Sequence, residues 1–290
     1  MKLSGILDLT GRDEGPDRGP KARAFELFLM IHATTRLWLW SYPFRSGRPE
    51  EIALAVAMSA CLVFYLHPPS RRLAVILAAG VLLIKQSITF PLASNHSFIE
   101  CSTMALLAFM GTRGEDAQRT VLQAARMLTV IVFFYSGVQK VLHGTYFDGQ
   151  YLSYSIANHS RFLSTFGQLV PADELERLLD QKPIRVGSGP FTIDATWFVL
   201  MSNMVYVFEI VTPIFLLIRK TRTWAACACL GFTVAIEVGA REFMFGALFV
   251  NLLLLFLPKA VNRFLIPLWI LGYLFLLGVE VGVFPDFYFN

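Results

Sequence analysis

A chain of 290 residues that is 55% hydrophobic, with 26 phenylalanines and a mean hydropathy of +0.56, is too apolar to be a soluble domain of its length. Only 16% of its residues are charged, against about 25% in a typical soluble protein. The net charge of +4 gives no argument for a nucleic-acid partner, because basic residues in a membrane protein chiefly set topology. The composition predicts an all-α, polytopic transmembrane helical bundle whose first partner is the lipid bilayer.

Residues 1–24 are polar and rich in Gly and Pro ("GRDEGPDRGPKAR"), with no apolar centre of a cleavable signal, and read as a cytoplasmic tail. A transmembrane domain is expected over 25–290. Its candidate spans are the apolar runs 25–42, 50–66, 71–91, 96–111, 120–141, 196–218, 223–240, 242–257 and 264–284, about nine in number. The longest connection, 142–195, reads as an outer-side loop. Within it "PADELERLLDQ" carries Leu175, Leu178 and Leu179 on one face, which predicts a short amphipathic helix at the interface.

With the N-terminus inside, the inner segments hold about twice as many Lys and Arg as the outer ones, which sets the N-terminus in the cytoplasm. A bacterial inner membrane is the expected location, or the ER membrane in a eukaryote. Cys61, Cys101, Cys227 and Cys229 all lie in apolar runs and read as small core residues. His32, His67, His96, His143 and His159 include no helical pair at metal-binding spacing, so no metal is expected.

An ionisable side chain inside the bilayer costs about 2.5–3.5 kcal/mol on insertion scales, so each one is a candidate for function. Most of them fall in the outer half of their spans under this topology. The first run carries His32 and Arg36, the third Lys85 and Gln86, and the fourth opens with Asn95, His96 and Ser97 ahead of Glu100. The fifth leaves through Tyr135, Gln139, Lys140 and His143, and a turn near 241 carries Glu237, Arg241 and Glu242. Glu209, Glu280 and Arg126 lie apart from this band. Each has a plain structural reading: Lys140, Lys85 and Arg241 as snorkelling side chains, Glu100 as a buried partner of Lys85 or Arg36, His32 and Arg126 as structural groups, and the Glu237–Glu242 stretch as an exposed turn. The functional reading rests on acids, bases and amides from several helices meeting at one depth. Removal from water disfavours the ammonium form of lysine, and a neutral amine can act as a general base. Such a base suits a weakly acidic phenol, such as the hydroxyl of a lipid quinol, better than an ordinary alcohol.

Two stretches resemble a known family. "FFYSGVQKVLHGTYFDGQYLSYSIANHSRF" resembles the segment of vitamin K-dependent gamma-carboxylase that contains its catalytic lysine, of the form aromatic-x-Ala-Gly-Val-Lys-Lys-Leu, a short link, and Trp-x-Glu-Gly-Tyr. The second lysine of that pattern falls on Lys140, Gln139 replaces the first, and Tyr146, Asp148 and Gly149 stand where the family has Trp, Glu and Gly. "SNHSFIECSTMALLAF" resembles the family's Asn-His-Ser-Tyr segment and puts its active-site histidine on His96. "FEIVTPIFLLI" and "EVGAREFMFGALFVNLLLLFLP" fit the remaining helices more loosely, and the resemblance to this HTTM module runs over roughly 20–260.

The resemblance implies a membrane-embedded lyase that deprotonates vitamin K hydroquinone, or another quinol, on the lumenal or periplasmic side. Molecular oxygen then converts the quinol to its epoxide, and a substrate glutamate is carboxylated with carbon dioxide. On this reading Lys140 is the general base, His96 orients the quinol oxygen with Asn95 in support, and Tyr135 and Gln139 line the quinol site. Glu237, Arg241 and Glu242 would receive a polar substrate such as a secreted peptide. Two departures bear on that substrate. No counterpart of the carboxylase's large extramembrane region lies within these residues, and the turn is charged where the family has a histidine and neutral polar residues. The alternative is a non-catalytic scaffold that helps to mature or export a secreted peptide.

Overall fold

The computed structural model describes residues 18–41, 47–91, 95–180, 191–240, 242–280 and 283. Among these there are 12 α-helices and no strand, and 85% of the residues are helical. In chain order they are α1 (Arg18–Ser41), α2 (Pro49–Leu66), α3 (Arg71–Thr89), α4 (Asn95–Met110), α5 (Glu115–His143), α6 (Gln150–Asn158), α7 (Ser160–Phe166), α8 (Ala172–Asp180), α9 (Thr196–Leu217), α10 (Arg222–Ala240), α11 (Phe243–Leu254) and α12 (Lys259–Glu280). A helix stands at each of the nine apolar runs. Four of them, α2, α3, α5 and α9, are long and apolar enough to cross a membrane by length and composition. Only 22% of the apolar window of α2 and 28% of that of α9 is buried against protein, so lipid is the medium that would cover the rest. Val63 and Phe64 on α2 and Leu200 and Met204 on α9 are among the outward apolar side chains. These helices are compatible with an integral membrane protein.

The chain forms two compact units. The first holds α1–α4, α5 as far as Leu128, and α11–α12. Its centre is α1, which packs on α2, α3, α4 and α11 and is therefore buried on most of its circumference, including Phe25, Leu29, Met30, Ala33 and Leu37. A helix covered on all sides must find partners for every polar side chain it carries. Glu26 accepts a hydrogen bond from Thr112 at 2.8 Å, and His32 and Arg36 meet the groups described below. Arg126 donates from Nε and Nη2 to the Leu255 carbonyl at 3.0 and 2.6 Å, just past the end of α11, so its role is to satisfy a helix terminus. On the other side of α1, Phe28 stacks on Trp269 at 4.4 Å between ring centres, and Trp269 contacts Tyr273.

The second unit holds the rest of α5 and α6–α10. The segment read as a loop, 142–195, contains three helices and a 3-10 turn, Gly167–Leu169. Its core is Ile156, Ala157, Val170, Leu178, Phe191, Ile193 and Phe198, with Leu175 packed against it. The amphipathic helix foreseen in "PADELERLLDQ" is α8, with Leu178 fully buried in this protein core and Leu175 and Leu179 half-buried. The polar side of α8 ties down the chain that follows. Glu174 accepts from the Asp194 amide at 2.6 Å, and Arg177 donates to the Thr192 carbonyl. α6 and α7 escaped the sequence reading because they are one to three turns long and rich in Ser. In α6, Ser153 and Ser155 hide their hydroxyls by bonding back to the carbonyls of Gly149 and Tyr151. All four cysteines are free thiols: Cys61, Cys101 and Cys229 are buried as expected, while Cys227 is exposed.

Candidate functional site

Lys140 lies in the last turn of α5, a helix that opens on Glu115 and Asp116 and closes on Lys140 and His143, each charge set matching the end of the helix dipole it occupies. What lies opposite is decided three residues earlier, by Gly137. A Cβ built there would stand 2.7 Å from Ile210 Cγ1 and 3.0 Å from both Glu209 Cβ and the Tyr206 carbonyl. Only glycine allows α9 to come this close, the small-residue contact by which helices associate where lipid removes the hydrophobic drive. Positions 137 and 140 share a face, so the same approach brings Glu209 onto Lys140.

The Lys140 Nζ donates to Glu209 Oε1 at 2.9 Å and Oε2 at 2.7 Å, and to Ser136 Oγ at 2.8 Å. An ammonium has three donors and no acceptor, so all three are used. The Lys140 side chain is 19% exposed and that of Glu209 7%, which leaves the lysine as the approachable end of the pair. Pro213, one turn after Glu209 in α9, has no amide hydrogen to give the Glu209 carbonyl, so the backbone there also lacks its usual helical donor.

The turn after α5 completes this cluster. Ser202 and Asn203 of α9 donate to the carbonyls of Tyr146 and Phe147 at 2.8 and 3.0 Å, pinning the turn to α9. The Tyr146 ring centre then lies 5.5 Å from Lys140 Nζ, and the ring stacks on Tyr151 at 4.9 Å. Burial pushes the Tyr146 phenol well above its ordinary range, with Tyr151 and Glu209 adding to the effect, so it remains a hydrogen-bond donor at any physiological pH. Burial raises the Tyr151 phenol too, with the Glu242 carboxylate next in effect. Gly149 takes a left-handed conformation (φ 73°) at the start of α6, and a Cβ there would press on the Phe198 ring at 3.1 Å. Asp148 accepts from the Gln150 amide at 3.2 Å at the same helix start.

A second polar cluster is confined to the first unit. Arg36 donates to Glu100 and to Ser97; His32 Nε2 stands 3.6 Å from Glu100 Oε1, and His32 Nδ1 is bonded to the Tyr273 hydroxyl. Arg36, His32 and Glu100 are 1–2% exposed. Glu100 thus takes Arg36, one of the two partners the sequence offered it, while Lys85 reaches over the Trp40 ring at 5.2 Å. His96 is half-buried and packs at 6.0 Å from the Phe245 ring.

The structure therefore groups Lys140 with Ser136, Glu209 and Tyr146, and keeps His96 in the other unit with Phe245. Tyr135 and Gln139 are exposed and one turn apart on α5, turned to a different side of the helix from the Lys140–Glu209 contact. Glu237 is buried in α10, and Glu242 is exposed ahead of α11. Arg241 and the side chain of Asn95 lie outside the described residues. Sequence reasoning passed over Glu209. Its signal was present, since a lone acid in "VYVFEIVTPI" requires a cation, but the partner is 69 residues away. Among the described residues no group of His, Cys, Asp or Glu could hold a metal ion. No family model matches this chain, and neither does any curated protein or solved structure.

Proposed function

We propose that this protein is an integral membrane enzyme in which Lys140 and Glu209 together accept a proton from a lipid-soluble phenol of the quinol type. The observation that carries the reading is the Lys140–Glu209–Ser136 cluster, an ammonium and a carboxylate bonded between two apolar helices with the lysine as the approachable end. In the proposed cycle Lys140 first passes a proton to Glu209. When Glu209 holds it, Lys140 Nζ carries a lone pair and can take the proton of an acidic hydroxyl. The Tyr146 ring, its centre 5.5 Å from Nζ, supplies an aromatic face against which the phenol ring can lie. A bound quinol would supply the acidic hydroxyl and the oxygen-dependent chemistry of its ring, and the donor set fits such a group: an amine, a carboxylate, and two stacked aromatic rings.

The wider reading is a nine-span bundle with a cytoplasmic N-terminus and this site towards the periplasm or lumen, resembling the vitamin K-dependent carboxylase. The Glu237–Glu242 stretch serves an acceptor peptide, with oxygen and carbon dioxide as co-substrates. One observation favours the second reading, a peptide-maturation scaffold: every donor of Lys140 is satisfied within the protein, as in a buried structural pair. The readings separate in nanodiscs supplied with vitamin K hydroquinone. Oxygen uptake with formation of the epoxide in wild type, both lost in Lys140→Ala, supports the enzyme. Absence of turnover with this and other quinols supports the scaffold.

A further inference from the structure

At the opposite end of α1 from the Arg36 cluster, a cavity of about 230 Å³ opens between α1, α11 and α12. Its walls include Phe25, Phe28 and Ile266, and it is also lined by Lys21, Arg263 and two asparagines, Asn251 and Asn262. The asparagines carry the argument. Asn251 is 1% exposed, yet neither its side-chain oxygen nor its nitrogen has a hydrogen-bond partner, and Asn262 Oδ1 has none although its Nδ2 donates to the Leu254 carbonyl at 3.2 Å. Buried amides left unpaired at the wall of a cavity call for a ligand with hydroxyls and carbonyls. Lys21, whose Nζ also donates to the Leu255 carbonyl at 3.4 Å, and Arg263 make the cavity positive, and the aromatic and aliphatic wall suits hydrocarbon.

We infer that this cavity binds the headgroup of an anionic phospholipid that bears free hydroxyls, of which phosphatidylglycerol is the simplest. Its phosphate pairs with Lys21 and Arg263, its glycerol hydroxyls and ester carbonyls meet Asn251 and Asn262, and its acyl chains leave along Phe25, Phe28 and Ile266. The size agrees with this. The cavity exceeds the roughly 150 Å³ that holds benzene but falls short of the roughly 300 Å³ of the smallest drug-sized pockets. It holds a headgroup and leaves the chains outside, in the bilayer. Basic pockets between transmembrane helices capture anionic headgroups in this way on the side where Lys and Arg gather. The site uses none of the groups around Lys140, so it stands or falls independently of the quinol reading.

The test is native mass spectrometry of the delipidated full-length protein titrated with phosphatidylglycerol, phosphatidic acid or phosphatidylcholine, with melting temperature in detergent as the second readout. The expected result is a 1:1 phosphatidylglycerol adduct at least about tenfold more abundant than the phosphatidylcholine adduct, and reduced to the latter's level by Lys21→Gln with Arg263→Gln. Asn251→Leu, which keeps the volume and removes the unpaired amide, should retain the preference for anionic lipid but abolish that for phosphatidylglycerol over phosphatidic acid. Equal adducts with charged and zwitterionic lipid in wild type, or an adduct unchanged in the double variant, would overturn the inference. Thermal protection by glycerol phosphate alone, equal to that by the lipid, would overturn the assignment to a membrane lipid.

Discussion

Arg36–Glu100 in the first unit and Lys140–Glu209 in the second are both cation–carboxylate pairs on apolar helices, and they differ in cation, company and access. Arg36 and Glu100 are each 2% exposed; Ser97 accepts a further bond from Arg36, His32 Nε2 stands 3.6 Å from Glu100 Oε1, and Tyr273 is bonded to His32. Lys140 keeps 19% of its side chain accessible and, among the described residues, has the hydroxyl of Ser136 as its other hydrogen-bond partner. Arginine does not lose its proton in proteins, whereas lysine does so readily once buried. The first pair is built to stay charged and hold α1 to α4; the second is the one that the proposed function uses to exchange a proton. A buried charge therefore does not by itself mark a reactive site. Which cation is used, and whether anything can reach it, decides.

The largest effect should come from breaking the sealed pair. Glu100→Ala leaves Arg36 buried and uncompensated, a loss of about 3–5 kcal/mol, read as failure to accumulate or a collapsed melting temperature in detergent. If Glu209→Ala costs as much, the contrast between the pairs fails. Next is Leu178→Ala, which empties the centre of the α6–α8 core and should cost about 3 kcal/mol by thermal melting. A loss under about 1 kcal/mol would mean that α8 is held by something other than this core. Gly137→Ala forces α5 away from the Tyr206–Ile210 backbone and should cost about 1–3 kcal/mol while lowering quinol-dependent oxygen uptake. Unchanged activity there would separate the α5–α9 contact from the chemistry. The smallest stability change belongs to Glu209→Gln, about 1 kcal/mol or less, since the amide oxygen still accepts from Lys140. Its activity should nevertheless fall sharply, because an amide cannot take the proton back.

Much of the helical layout was legible, because apolar runs of about twenty residues bounded by Pro, Gly and charges have little freedom to be anything else. Lys140 was legible for the same reason: a charge in such a run stands out. Its partner was not. Nothing in "SGVQK" states that α9 approaches at Gly137, and the contact between 140 and 209 is a tertiary fact. The short helices α6 and α7 were hidden because the signal for them is a common core with Phe191, Ile193 and Phe198, not a periodicity of their own. Tyr135 and Gln139 stand close to Lys140 in sequence, but the helix turns them to another side from the Glu209 contact.

The most direct test of the exchangeable pair is Lys140→Arg, assayed for melting temperature and for quinol-dependent oxygen uptake on the same nanodisc preparation. The account predicts that arginine preserves the bond to Glu209 and holds the melting temperature near that of wild type, while oxygen uptake disappears because guanidinium cannot give up its proton. Uptake that persists in Lys140→Arg would contradict a proton-accepting role for this residue and leave the pair a structural one, like Arg36 and Glu100.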